Sequence, residues 1–221
     1  MKKILFFICL FQAFLCSAQI DKDQLALAVN KADEANTGQL KSMIWKRKSD
    51  VFIEGTLKLT TITEFSYDAN GKLQAKVVDS QSTVKDKKGI RGKIQENSAE
   101  DKMDYVSNAL DLALKYTYMS KGELIDFFGK ATITEKNGII EATAENVYVK
   151  GDKLTVLIEA ATNLYIFKKF SSLLDKDPVD GQVKYEKFSS GVNHGSTTTL
   201  NLPAQKMKIE AVNQDYSVRM N

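Results

Sequence analysis

Apolar and polar residues alternate with a period of two over much of this chain. Between Val51 and Tyr67, the odd positions include Val51, Ile53, Leu57, Leu59, Phe65 and Tyr67. The even positions include Glu54, Lys58, Thr60 and Glu64. Successive strand residues point to opposite faces, so this pattern predicts a strand with one buried side, inside a strand-rich stretch from Met43 to Thr83. Asp68-Ala69-Asn70-Gly71 then offers a hairpin turn, and Leu73, Ala75 and Val77 restore the alternation on the return strand.

Two regions carry helical spacing instead. Leu25, Ala28, Val29 and Ala32 share one face of a helix predicted over Asp21–Asn36, with Gly38 as its stop. Ser98-Ala99-Glu100-Asp101 resembles an N-terminal cap, and Met103, Val106, Leu110, Ala113 and Leu114 follow at helical spacing. Ser120 and Glu123 form a capping-box pair that opens a shorter helix with Leu124, Phe127 and Phe128, closed near Gly129. Strands resume after Ala131. They are predicted around Val147–Val149, Leu154–Ile158, Tyr165–Phe170, Val183–Phe188, Thr197–Leu202 and Lys206–Val212, with a further one suggested over Asp215–Met220. Asp175–Gly181 reads as a loop and Gly191–Gly195 as a turn. Strands every 10 to 15 residues, joined by hairpin signals, imply an antiparallel meander. The expected fold is α+β and mostly β: a curved antiparallel sheet with an N-terminal helix and a central two-helix insertion.

The first 18 residues stand apart. Lys2 and Lys3 precede an apolar run from Ile4 to Leu15, and Cys16-Ser17-Ala18 supplies small residues for cleavage. This is the layout of a secretory signal peptide, and the run is too short to span a bilayer. The expectation is an exported, periplasmic or secreted protein whose residues 19–221 form a single domain. A lipid anchor at Cys16 is disfavoured, because Phe14 and Leu15 precede it where a lipoprotein signal carries a small residue. Both cysteines, Cys9 and Cys16, fall in this leader, so thiol chemistry and disulfides are not expected of the remainder. Without Lys2 and Lys3, 29 basic residues face 28 acidic ones. That balance argues against nucleic acid as a partner.

Candidate chemistry is sparse. His194 is the only histidine, in a glycine-flanked segment two residues before Ser196 and with no nucleophile-elbow motif around it. It reads as a turn histidine. One histidine and no cysteine beyond the leader cannot build the usual zinc ligand sets. Asp175-Lys176-Asp177-Pro178-Val179-Asp180-Gly181 lacks the continuation of a calcium loop. Neither phosphate-binding glycine pattern is present. No cofactor and no enzymatic activity are expected. The basic segment Lys85–Lys93 offers an anionic-surface contact, but without interleaved aromatic residues it reads more simply as a solvated loop.

The aromatic complement is the remaining feature: Trp45, eight tyrosines and phenylalanines recurring through strands and helices. Such stripes fill a core, or they line an apolar ligand site. The segments Ser66-Tyr67-Asp68-Ala69-Asn70-Gly71-Lys72-Leu73 and Leu202-Pro203-Ala204-Gln205-Lys206-Met207-Lys208-Ile209, set in the order leader, helix, meander, helical insertion, meander, resemble the LolA-like superfamily of periplasmic carriers. That resemblance implies an unclosed β-barrel with helices at its mouth, and partners that are acyl lipids or lipoproteins. The carriers hold a closed lid with an arginine; Arg47, Arg91 and Arg219 lie outside any matching motif. On this reading Leu57, Leu59, Phe65, Leu73 and Val77 line one wall of an apolar cavity, and Met103, Val106, Leu110, Phe127 and Phe128 form the lid. The alternative is an envelope interaction or structural domain with a filled core, acting through a protein partner.

Overall fold

A computed structural model of the chain describes residues 20–68, 70, 72–82 and 90–219, with side chains for all of these except 90–103. The leader, residues 85–89 of the basic segment and the side chain of Met103 lie outside it. Three α-helices and ten strands are described: α1 (Lys22–Leu40), β1 (Met43–Ile53), β2 (Thr56–Tyr67), β3 (Leu73–Ser82), α2 (Ile90–Thr117), α3 (Lys121–Lys130), β4 (Thr132–Lys136), β5 (Ile139–Glu145), β6 (Lys153–Glu159), β7 (Leu164–Leu174), β8 (Asp177–Lys187), β9 (Asn193–Leu202) and β10 (Met207–Val218). The strands form one antiparallel sheet in the order β3-β2-β1-β10-β9-β8-β7-β6-β5-β4. β3 and β4 are its two edges, so the sheet is open, as the expected unclosed barrel requires, and is not a closed one.

The alternation over Val51–Tyr67 is interrupted where a single strand was expected. Glu54 and Gly55 both adopt left-handed φ, at 50° and 74°, the conformation of a two-residue hairpin turn. Ile53 then pairs with Thr56, a register that would turn every even residue of β2 inward. One extra residue in β2 reverses this: Phe52 pairs with Leu57, but Val51 pairs with Leu59. The bulge returns the odd positions Leu59 to Tyr67 to the inner face and leaves Leu57 with Phe52 on the outer one. The periodicity was legible; the reversal hidden in it was not.

Helix starts follow their caps. Asp21 accepts from the amides of Asp23 and Gln24, and Ser120 and Glu123 form the expected capping box. α1 runs past Gly38 to Leu40, and α2 begins at Ile90 rather than near Ser98; cap-type residues on a helix flank cost little propensity. α1 packs on α3 and β7, α2 on β7 and β8, and α3 on β5. The core lies between these helices and the inner face of β5–β9. It contains Val29, Tyr116, Phe127, Phe128, Leu154, Val156, Ile158, Val179 and Leu200, all fully buried.

Three further segments differ from the periodic reading. Val147–Val149 is not a strand: the Asp152 carboxylate takes the amides of Val147, Tyr148 and Val149 at 2.6, 2.8 and 3.1 Å and bends the chain into a turn. β8 begins at Asp177, after a tight turn with Asp175 at φ 58°. Pro178 is tolerated there because β9 pairs with β8 only from Asp180 onward, which leaves the proline beyond that ladder. His194 belongs to β9, opposite Glu186, and not to a turn.

Candidate functional site

The inner face of the sheet divides into two wings of different character. Over β5–β9 it is covered and packed. Phe170 shows how tightly: its ring stacks on Tyr116 with centroids 4.3 Å apart and occupies the space a side chain at Gly181 would need. A Cβ there would meet Phe170 Cε1 at 2.2 Å. Tyr116 in turn donates to the buried Asp152 carboxylate at 2.6 Å and contacts Ser172 Oγ at 2.8 Å. The phenol has one proton, so Ser172 donates to it. Burial alone would raise the Asp152 pKa, but the Tyr116 hydroxyl and three amides outweigh it and hold the carboxyl below its ordinary value.

Lys168 is a second buried polar group on this wing, 3% exposed. Its ammonium donates to the Thr117 carbonyl at the end of α2 at 2.6 Å and sits 3.7 Å over the Tyr165 ring. It caps the helix C-terminus with positive charge, where charge and carbonyl dipoles agree. Desolvation lowers its pKa to about 8, opposed by Asp33 on α1. Asp33 is itself pushed above its ordinary value by burial.

Over β10, β1 and β2 the same face carries an aromatic row. Trp45 stacks on Phe65 at 5.6 Å and on Tyr216 at 5.6 Å, and lies 6.0 Å from Tyr67. The Arg47 guanidinium covers Phe65 at 4.8 Å and donates through Nε to Asn213 at 2.8 Å. Beyond the row, Val51, Ile53 and Leu59 are half-buried, and Leu73 and Val77 are exposed, Val77 to 61%.

β10 pairs with β9 only up to Val212–Thr197, and the two strands part beyond it. An open cavity of about 480 Å³ occupies this fork, lined by Phe188, His194, Asn213 and Tyr216 among others. His194 stacks on Phe188 at 4.0 Å and meets Tyr216 edge-on. Burial lowers its pKa, with Glu186 opposing. Ser196 gives its hydroxyl to the Lys184 carbonyl, and His194 Nδ1 has no hydrogen-bond partner among the described residues. A second open cavity, of about 420 Å³, lies over Leu157, Phe167, Lys184 and Thr197.

The sequence-predicted site residues are thus distributed. Leu59, Phe65, Leu73 and Val77 share the inner face of the β1–β3 wing, and the bulge sets Leu57 on the opposite face. Phe127, Phe128 and Val106 are buried in the packed core, and Leu110 is exposed on α2. Neither cavity is lined by any of these residues. Asp152, Lys168 and the Trp45–Tyr216 row escaped the sequence reading. Tyr116 lies 36 positions from Asp152 and Thr117 lies 51 from Lys168, and Trp45 reaches Tyr216 only because β1 pairs with β10.

No family model matches this chain, and no curated protein matches it. Solved structures similar to it include a DUF1329 family protein from Desulfovibrio piger, with 8% identity and a TM-score of 0.41 over 90% of this chain and 92% of that one. A LolA superfamily protein from Nitrosomonas europaea aligns with 10% identity and a TM-score of 0.37 over 89% and 94%. A Vibrio parahaemolyticus domain assigned to outer membrane lipoprotein sorting aligns with 8% identity and a TM-score of 0.42 over 91% and 94%.

Proposed function

We propose that this chain is an exported, non-enzymatic binding protein that takes an acyl chain of a lipid or lipoprotein against the inner face of β1–β3. The observation that carries this reading is the contrast between the wings. The β5–β9 wing is filled, whereas the β1–β3 wing sets Phe65, Leu73, Ala75 and Val77 in a contiguous, partly exposed apolar strip, with Leu59 further along the same face beyond Thr61 and Thr63. Uncovered apolar area gains roughly 25 cal/mol per Å² on burial, and an acyl chain is long and narrow enough to follow such a strip. The ligand then lies along a sheet wall and not inside a closed cavity. Phe127 and Phe128 serve to hold α3 in the core.

Native mass spectrometry with lipid extraction, on protein purified from a bacterial periplasm, tests this. Co-purified acyl lipid at a fixed stoichiometry supports it. A clean apo mass, together with failure to take up a fluorescent fatty acid, overturns it.

A second reading rests on a separate observation. All ten residues of the edge strand β3 are exposed, and an open edge accepts a partner strand through backbone hydrogen bonds. On that reading the chain is an envelope interaction module with a protein partner.

A further inference from the structure

We infer that the ligand is anionic, and that Arg47, beside the aromatic row on β1, binds its carboxylate or phosphate head. This rests on the acyl-chain reading and adds to it the chemistry of the other end of the ligand.

Three observations converge. Arg47 is half-buried on the inner face, yet no carboxylate lies within ion-pair distance of it among the described residues. Asp215, on the strand facing it, pairs with Lys46 instead. The described contacts of its guanidinium are the Nε bond to Asn213 and the face of Phe65. Both position the group and neither neutralises it, so the Nη donors remain for a ligand. A guanidinium offers a planar fork matched to carboxylate and phosphate.

The second observation is Trp45, two positions from Arg47 on the same face. It is more than nine-tenths buried, and its indole Nε1 has no hydrogen-bond partner among the described residues. Buried donors are normally satisfied, and an oxygen of a ligand head group is the acceptor this one lacks. The third is continuity. Phe65, which carries the guanidinium, begins the apolar strip that runs through Leu73, Ala75 and Val77. A charged head at Arg47 therefore leaves its chain on the proposed wall.

Lys168, a buried cation on the inner face, does not compete for this role. Its ammonium is committed to the Thr117 carbonyl and the Tyr165 ring.

The test compares cis-parinaric acid with its methyl ester, which has the same chain and no charge, by fluorescence titration of the purified protein. The acid is expected to bind at least tenfold more tightly. Arg47→Met should remove that difference, and Arg47→Lys should restore part of it. Competition by palmitate or by dipalmitoyl phosphatidic acid then tells whether the head is carboxylate or phosphate. Equal binding of acid and ester by the unaltered protein overturns the head-group assignment and leaves the acyl-chain reading standing. Binding of neither overturns both. The acid–ester comparison needs no variant, so the inference stays testable if Arg47→Met fails to fold.

Discussion

At the scale of single residues, the filled wing depends on one missing methyl group. Phe170 lies where the Cβ of any other residue at 181 would be, at 2.2 Å, and it cannot swing aside without losing its stack on Tyr116. Gly181→Ala should therefore destabilise the protein by about 1–3 kcal/mol through overpacking, measured as a loss of denaturation midpoint in urea. Adding Phe170→Leu should recover part of the loss; equal losses in the single and double variants would show the glycine to be indifferent to the ring. Nothing in the sequence marks Gly181 as a packing position, because the residue it accommodates is eleven positions away across a strand pair. The Asp152 turn was equally hidden. Its strand-like neighbours Val147-Tyr148-Val149 have the right side chains for a strand, but a buried carboxylate claims their amides. Periodicity reads side chains, whereas the turn is decided by backbone donors.

Among elements, the helices were legible at their polar ends and the strands by their alternation, because caps and parity are local. The β1–β2 hairpin shows the limit. A two-residue turn and a one-residue bulge each invert parity, and together they cancel, so an uninterrupted pattern conceals both. The docking of α2 on β7 was not legible at all, since Lys168 looks like one more strand lysine. Its ammonium is charged at neutral pH despite burial, with its pKa lowered to about 8 from 10.5. Between those two values the unfolded chain binds a proton that the folded one has released, so stability contributed through this group rises as pH increases across that window and is lowest below it. The shift corresponds to on the order of 3 kcal/mol at one pKa unit per roughly 1.4 kcal/mol. Chemical denaturation at pH 7.5 and pH 10 should show the unaltered protein gaining on Lys168→Met by a substantial part of that amount. Parallel pH dependence in the two proteins would mean the lysine is not buried as a cation.

For the whole molecule, the helices among the described residues pack on β5, β7 and β8 and leave the inner face over β1–β3 partly exposed, and that wing is where the proposed ligand lies. That Leu59, Phe65, Leu73 and Val77 share one face was recoverable from alternation. The cluster beside them was not, because Trp45, Arg47, Asn213 and Tyr216 meet only when the last strand pairs with the first. Val77 separates a binding wall from a merely exposed edge. Its side chain is 61% exposed, so Val77→Glu removes no core packing, and its effect on stability should stay within about 0.5 kcal/mol. On an acyl-binding wall, however, the introduced carboxylate must either be desolvated beneath the chain or force the chain away, and either costs affinity. Fluorescent fatty acid titration should show a loss of at least tenfold with an unchanged thermal midpoint. Unchanged affinity would place the chain elsewhere on the sheet and turn attention to the fork between β9 and β10, where Phe188, His194 and Tyr216 border an open cavity.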